Sequence, residues 1–560
     1  MVLLLSISIS DTANAYLLPA DSVNATYFNF KHEFDMNSIV FVRQMDRFPI
    51  LFDDTKGILF SVGGVAPAFD AISIRGGGEM ENGIFVNGIP LFNSPLRFMT
   101  FLPLDRDAVS SIILYRGNMP ADYEGFLSSV VKIETYEDAR YIKVGVPSLN
   151  FSINGFYGDF FLPGPFMGRN FQWNSLFFTW KGRSTSSLLA GSCRLFRNIL
   201  DYYNIPGDTL LEWRECITTT GISWRRDNFH LYYTFQLKEH YDTSSSFDYA
   251  TRAYSRKHLL GINFGKGRWG GGFHFHRYDF GGESGEGYEN PGILLNRFAS
   301  VWIFRRFRFG EVGLTYYTQG KLLPIIRLRF KHFLDSTRAI TLFAGTSSQG
   351  YISFGFPIFE RVIAKGKVNY GYTLIAGYEH VLPGFSIQIN GFIRYFHPYY
   401  VINPLLFPSY VPDTAIYVPP SQYFIDRSTV SAGADLTLKE YRKGELALSL
   451  TLLRSFFTDT WTPSPQDVVY VFNFNYRFVN VMWMYGPIRY ELILNPEHVK
   501  NGIYRESSLY IYSVAFPFRW KGFKFRVGIY NLFPQPEPSN EFSAIYRAFP
   551  IPILSVKKEF

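Results

Sequence analysis

The chain has 560 residues, of which 55 are Lys or Arg, 47 are Asp or Glu and only 2 are Cys, for a formal net charge of +8. Aromatic residues make up 19% of it and charged residues 18%, against the roughly 25% charge of soluble domains. That balance excludes intrinsic disorder, a disulfide scaffold and a cysteine-rich zinc protein, and leaves the aromatic excess to be either core or interfacial girdle.

In chain order, Val2 to Ile9 is apolar and Ala13-Asn14-Ala15 fits a small-x-small cleavage pattern. Residues 1–15 are therefore expected to be a signal peptide, although the charged start is missing and a disordered tail is the alternative. Residues 16–35 form an N-terminal extension. No run of about 18 uncharged apolar residues follows, so the chain crosses a membrane only if it forms a closed barrel.

Residues 36–135 predict short mixed strands separated by glycines. From about residue 137 the pattern changes to strict alternation, as in Leu446-Ala447-Leu448-Ser449-Leu450-Thr451-Leu452, Ile326-Arg327-Leu328-Arg329-Phe330-Lys331, Phe385 to Asn390 and Phe472 to Phe478. A period of two is that of a strand with two unlike faces. Short turns such as Lys266-Gly267, Pro383-Gly384 and Lys521-Gly522 alternate with longer loops near 199–214, 239–256, 279–294, 397–427, 455–467 and 494–507. One end short and the other long is the asymmetry of outer-membrane barrels. The 425 residues from 136 onward accommodate about 22 strands at about 19 residues each, enough for the ~10 residues a tilted strand needs.

A barrel that wide needs a plug, and residues 36–135 are available to supply one. A soluble array of β-sandwiches also alternates, but it does not explain aromatics near strand ends, such as Phe396, Tyr399 and Tyr400, or Trp302 and Phe304, which suggest interfacial belts.

Three stretches of the N-terminal segment carry a resemblance: Ile72-Ser73-Ile74-Arg75-Gly76-Gly77, then Ile84 to Leu91 around Asn87-Gly88, then Ala108 to Ala121 containing Tyr115-Arg116-Gly117. With Leu127 to Ile133 as an exit strand, their order resembles the plug of TonB-dependent outer-membrane receptors, and Phe160 to Pro165 followed by Phe171 onward is similar to a first barrel hairpin. The chain departs from that family at Asn87, at Gly63-Gly64-Val65 and at Tyr123-Glu124-Gly125. The resemblance implies an all-β transmembrane barrel of about 22 antiparallel strands (136–560) around an N-terminal α+β plug (36–135) in the bacterial outer membrane, active in transport and not an enzyme. Its implied partners are the periplasmic TonB protein with the inner-membrane energising complex, a small ligand such as a ferric siderophore, and outer-membrane lipid and lipopolysaccharide. A monomeric barrel without cofactor is expected. A non-transporting surface protein that docks a partner, and a passive plugged porin, remain open.

Under the same resemblance, Arg75 and Arg116 are expected to pair with barrel carboxylates. Ser38-Ile39-Val40-Phe41-Val42 is either the TonB-binding strand or the plug's own first strand. Glu79, Met80, Glu81, Asn82, Asn93 and Arg97 are expected on apical plug loops as ligand contacts. Residues 36–135 carry 8 Lys+Arg against 11 Asp+Glu, whereas residues 136–560 carry 46 against 32. Arg327, Arg329 and Lys331 share one strand face, so a positive lumen for an anionic ligand is one explanation; lipopolysaccharide contacts and basic periplasmic turns are others. His274 and His276 read as a wet lumen pair rather than a metal site. Cys193 and Cys216 flank a loop, so a disulfide and two free thiols are both compatible with the sequence. No catalytic constellation is present: Gly76-Gly77-Gly78 lacks the Lys-Ser/Thr of a phosphate loop, and the cations are too dispersed for nucleic acid.

Overall fold

The structure is a computed structural model that describes residues 39–41, 58–59, 62–67, 72–77, 81–92, 104–146, 148–161, 171–197, 211–244, 249–284, 294–350, 368–402, 424–440, 446–458, 461, 469–487, 506–530 and 551–560. The signal-peptide and extension assignments, with Ser38, Val42, Glu79, Met80, Asn93 and Arg97, lie outside the described residues.

The described N-terminal residues supply seven short strands: β1 (Ile39–Phe41), β2 (Val65–Pro67), β3 (Ile72–Ile74), β4 (Asn82–Val86), β5 (Ile89–Leu91), β6 (Val109–Tyr115) and β7 (Ser129–Thr135). Five of them form one sheet in the order β1-β6-β7-β4-β5, and β2 pairs with β3. Asn87 and Gly88 join β4 to β5 with φ of 50° and 81°. Asn-Gly is the preferred pair for that left-handed two-residue turn, which explains why the departure from the family pattern at Asn87 leaves the hairpin intact. Helical structure in the described plug is limited to residues 58–59, residue 81 and 3-10 turns at Arg106–Ala108 and Ala121–Tyr123. The plug core, with Ile74, Val86, Ile112 and Leu114, continues without a break onto Tyr157, Phe177 and Leu188 of the surrounding wall.

That wall is a closed barrel of 22 strands, each antiparallel to its neighbours. They are β8 (Arg140–Val146), β9 (Ser148–Ile153), β10 (Phe156–Phe161), β11 (Phe171–Lys181), β12 (Thr185–Arg197), β13 (Leu211–Arg226), β14 (Phe229–Ser244), β15 (Tyr249–Lys266), β16 (Trp269–Ser284), β17 (Leu294–Phe307) and β18 (Gly310–Tyr317). The second half holds β19 (Lys321–Phe333), β20 (Arg338–Gln349), β21 (Asn369–Leu382), β22 (Phe385–Ile402), β23 (Phe424–Glu440), β24 (Leu446–Phe457), β25 (Tyr470–Tyr476), β26 (Val479–Pro487), β27 (Glu506–Trp520), β28 (Phe523–Tyr530) and β29 (Ile551–Glu559). Pairing of β29 with β8, from Leu554↔Val146 to Glu559↔Tyr141, closes the ring. Closure leaves no unpaired edge, the condition for a sheet to cross a lipid bilayer.

Side chains alternate as the sequence predicts. On β19, Ile326, Leu328 and Phe330 are exposed outward, while Arg327 and Arg329 are buried inward. Large exposed apolar side chains on the outer wall have no aqueous explanation and fit lipid. Trp180, Trp224, Trp269 and Trp520 stand exposed beside the short turns and form the girdle of that rim. Trp302, Phe304 and Phe396, which the sequence reading assigned to belts, are instead fully buried. They share the inward parity of Ser300 and Arg394, so the aromatic surplus serves both girdle and core.

Two further expectations change. The first barrel hairpin is β8–β9, with Arg140↔Ile153, rather than the 160–171 segment, which belongs to the next one. Small and polar residues in β8 and β9, such as Gly145, Asn150 and Ser152, hide their alternation. The segment 239–256 is mostly strand, because β14 runs to Ser244 and β15 starts at Tyr249.

Candidate functional site

A polar seam runs between plug and wall. Arg75 follows β3 and Arg116 follows β6, and both guanidiniums converge on Asp435, an inward residue of β23. Arg75 Nε lies 2.7 Å from Asp435 Oδ2, and Arg116 Nη1 lies 2.9 Å from Oδ1; all three side chains are fully buried. Asn390 Nδ2 donates to the same carboxylate at 2.8 Å, and Arg116 Nη2 donates to Gln388 Oε1 at 2.7 Å. Arg75 Nη1 also donates to the Arg116 carbonyl at 2.8 Å. Burial, reinforced by Arg75, pulls Arg116 down to about 10 against the opposing pull of Asp435. Two cations thus share one buried anion, an arrangement bound tightly when complete and costly when any member leaves.

Backbone contacts complete this sector. Arg394 of β22 donates to the carbonyls of Ile74 and Ser128 at 2.8 and 2.7 Å, and to Ser128 Oγ at 2.9 Å. Gly63 and Gly64 donate their N–H groups to Thr437 and Thr451 hydroxyls at 3.0 and 2.7 Å. A side chain at Gly63 would meet the Leu436 carbonyl oxygen at 2.7 Å, so the close approach needs glycine.

Elsewhere the signs reverse, with plug acids meeting barrel bases. Glu124 lies 2.5 Å from Arg327 and accepts from Ser348 at 2.5 Å. Asp122 meets Arg306 at 2.6 Å, Asp105 meets Lys143 at 2.6 Å, and Asp107 meets Lys557 at 3.2 Å. Glu134 is held by Lys181 at 3.1 Å and Arg225 at 3.2 Å. The opposite charge of plug and barrel is therefore in part a docking complementarity.

The predicted residues fall as follows. Arg75 and Arg116 meet the wall. Arg327 and Arg329 point inward onto the plug, donating to the Met119 carbonyl at 2.7 and 3.1 Å, whereas Lys331 pairs with Glu379 of β21 at 2.9 Å. Each of these cations thus has a protein partner. Glu81 is buried, with its carbonyl accepting from the Ser128 N–H at 2.9 Å, and Asn82 accepts from Ser129 at 2.6 Å, both bonds within the plug. Ile39–Phe41 pairs antiparallel with β6 as the edge of the plug sheet. His274 and His276 do share a face, but they are packed rather than wet: His274 bonds Tyr232 Oη and meets the Trp302 ring, and His276 stacks on Phe298. Cys193 and Cys216 are register partners on β12 and β13 and are joined by a disulfide.

Sequence reasoning missed Asp435, Arg394, Glu124, Asp105 and Lys143. Their signal was a charge at an inward position of an alternating strand, as in Ser431-Ala432-Gly433-Ala434-Asp435, or within the irregular plug, where Glu124 stood out only as a departure.

No family model and no curated protein matches the sequence. Among solved structures, the siderophore receptor PirA from Pseudomonas aeruginosa is similar, with a TM-score of 0.58 at 13% identity over 93% of this chain and 99% of that one. The FrpB iron transporter from Neisseria meningitidis gives 0.61 at 11% identity, over 93% and 98%. The ferric yersiniabactin uptake receptor FyuA from Yersinia pestis gives 0.58 at 12%, over 94% and 98%.

The chain has the plug-and-barrel fold of TonB-dependent outer-membrane receptors. With its lipid-facing band it is a protein of the bacterial outer membrane. Directional polar contacts hold the plug in one register at this seam, beside the apolar core that the plug shares with Tyr157, Phe177 and Leu188 of the wall.

Proposed function

We propose that the chain is an energy-coupled outer-membrane transporter that takes up a small, scarce ligand of the ferric-chelate class, with TonB as its periplasmic partner. The observation that carries the reading is the joint capture of Arg75 and Arg116 by Asp435. A static stopper needs no buried cluster of charges, because apolar packing would hold it as well or better. A cluster of this kind fails abruptly when one strand is displaced, which suits a plug moved by force. The solved relatives, described as siderophore receptors and iron transporters, support the ligand class at the level of fold.

In this reading the ligand meets the extracellular loops and plug apex, TonB pairs with an extended N-terminal segment, and the pull breaks the seam on one side. Ser38 to Val42 is the proposed TonB-binding strand; its central residues already form an edge strand, the geometry that strand addition uses. The test is growth under iron limitation on a panel of ferric chelates, in cells carrying this chain as the sole receptor. Growth on one chelate that is lost when residues 38–42 are deleted, with the folded barrel retained at the surface, supports the reading. Growth unchanged by the deletion rejects the assignment of that strand, and no growth on any chelate favours a surface role.

A further inference from the structure

The outer wall changes character at the short-turn rim. β15 and β16 are joined by Gly267-Arg268, and β17 and β18 by Arg308-Phe309. These turns are neighbours: Trp269 is the register partner of Arg305, and the Arg306 N–H donates to the Arg268 carbonyl at 2.6 Å. Four exposed cations, Lys266, Arg268, Arg305 and Arg308, therefore share one stretch of rim. No Asp or Glu occurs from Phe264 to Trp269 or from Ile303 to Gly310. The next carboxylate in sequence, Glu311, faces inward to Arg306 and the Ala121 N–H. Among the described residues, none of the four cations has an ion-pair partner.

The same stretch is aromatic. The Arg305 guanidinium lies 5.6 Å from the Trp269 ring centroid and 5.3 Å from that of Phe307, and Arg308 lies 5.3 Å from Phe309. Directly above, Phe264, Val301, Ile303, Val312 and Leu314 expose an apolar floor on the same outward face. Cations held over rings at the edge of such a floor match one kind of ligand, with phosphate at the rim, glycerol at ring height and acyl chains along the wall. A soluble anion has no use for the floor, and a zwitterionic lipid would bring its own cation against four others.

We propose that the β15–β18 rim binds an anionic glycerophospholipid of the periplasmic leaflet. The short-turn end, where the chain passes from plug to barrel, is the periplasmic end, so the site faces that leaflet. This inference is independent of the transport reading.

The test is native mass spectrometry of the full-length protein in neutral detergent, with cardiolipin, phosphatidylglycerol or phosphatidylcholine added in turn. The anionic lipids are expected to be retained at least about tenfold over phosphatidylcholine, and Arg268→Gln/Arg305→Gln/Arg308→Gln should abolish that preference. Arg338→Gln, at the start of β20 where Arg338 already pairs with Asp335 of the preceding turn, should keep it. Heat-dependent gel mobility reports whether the triple variant is folded; if it is not, the three single variants should each give a partial loss. Wild-type retention in the folded triple variant, a flat series of singles, equal retention of phosphatidylcholine, or displacement by inorganic phosphate would each overturn the proposal.

Discussion

Arg116 of the plug and Asp435 of the barrel wall are 319 residues apart in the chain, and their charged atoms are 2.9 Å apart in the structure. Asp435 is also the partner of Arg75, so one carboxylate serves two plug guanidiniums. Replacing it with Asn leaves two buried guanidiniums facing each other. Breaking a buried pair by removing one partner costs about 3 to 5 kcal/mol. Asp435→Asn should therefore loosen the plug while the barrel remains heat-modifiable, and the strain should become sensitive to a large hydrophilic antibiotic that the wild type excludes. An unchanged antibiotic profile and unchanged protease protection of the plug would contradict the role given to Asp435.

Arg394→Met tests the backbone half of the seam. The guanidinium satisfies the Ser128 carbonyl, and an unsatisfied buried acceptor costs about 1 to 3 kcal/mol, whereas the Ile74 carbonyl keeps the Gly77 N–H. Plug protection should fall, though less than in Asp435→Asn. Gly63→Ala should act in the same direction by forcing the plug backbone away from Leu436.

Two plug glutamates predict opposite responses to pH. Burial raises Glu134, but Arg225 and Lys181 outweigh it and hold the carboxyl below its ordinary range. Its contribution is present above the ordinary value of about 4.3 and is lost as the pH falls through the depressed folded value. Burial dominates at Glu124 and raises it despite Arg327. Its contribution is complete below the ordinary value and is lost as the pH rises through the raised one. Protease protection of the plug, scanned from about pH 3 to 8, should lose its acid-side fall in Glu134→Gln and its higher-pH decline in Glu124→Gln.

The Cys193–Cys216 disulfide closes the connection between β12 and β13 at the long-loop end. Chymotrypsin cleavage between residues 198 and 210, which include Tyr202 and Tyr203, should give fragments that separate on a denaturing gel only with reductant. Separation without reductant would contradict the bridge. The double Cys→Ser variant should still form a closed barrel, because the β12–β13 register extends along both strands from Thr185↔Trp224 to Arg197↔Glu212.

Much of the fold was legible because its cause is local. Leu446 to Leu452 alternates, and it forms β24 with Leu448, Leu450 and Leu452 on the outer wall. The Asn87-Gly88 pair dictates its own turn. What was not legible is set by distant partners. The aromatic side chain of Trp302 looks like a girdle element until its parity with Ser300 and opposite parity to exposed Val301 and Ile303 are considered. Arg327 reads as a lumen cation because Glu124, its partner, lies in another domain, 203 residues away. Asp435 carries no local mark beyond being an acid on an inward face, and only the three-dimensional meeting of Arg75 and Arg116 reveals its role.

Under the proposed function the seam opens when energy is applied. The most direct measurement is accumulation of radiolabelled iron from the chelate that supports growth, in cells with and without a protonophore, with surface binding measured in parallel. The protonophore is expected to abolish accumulation and leave binding intact. Accumulation that continues unchanged after the proton gradient has collapsed would contradict it.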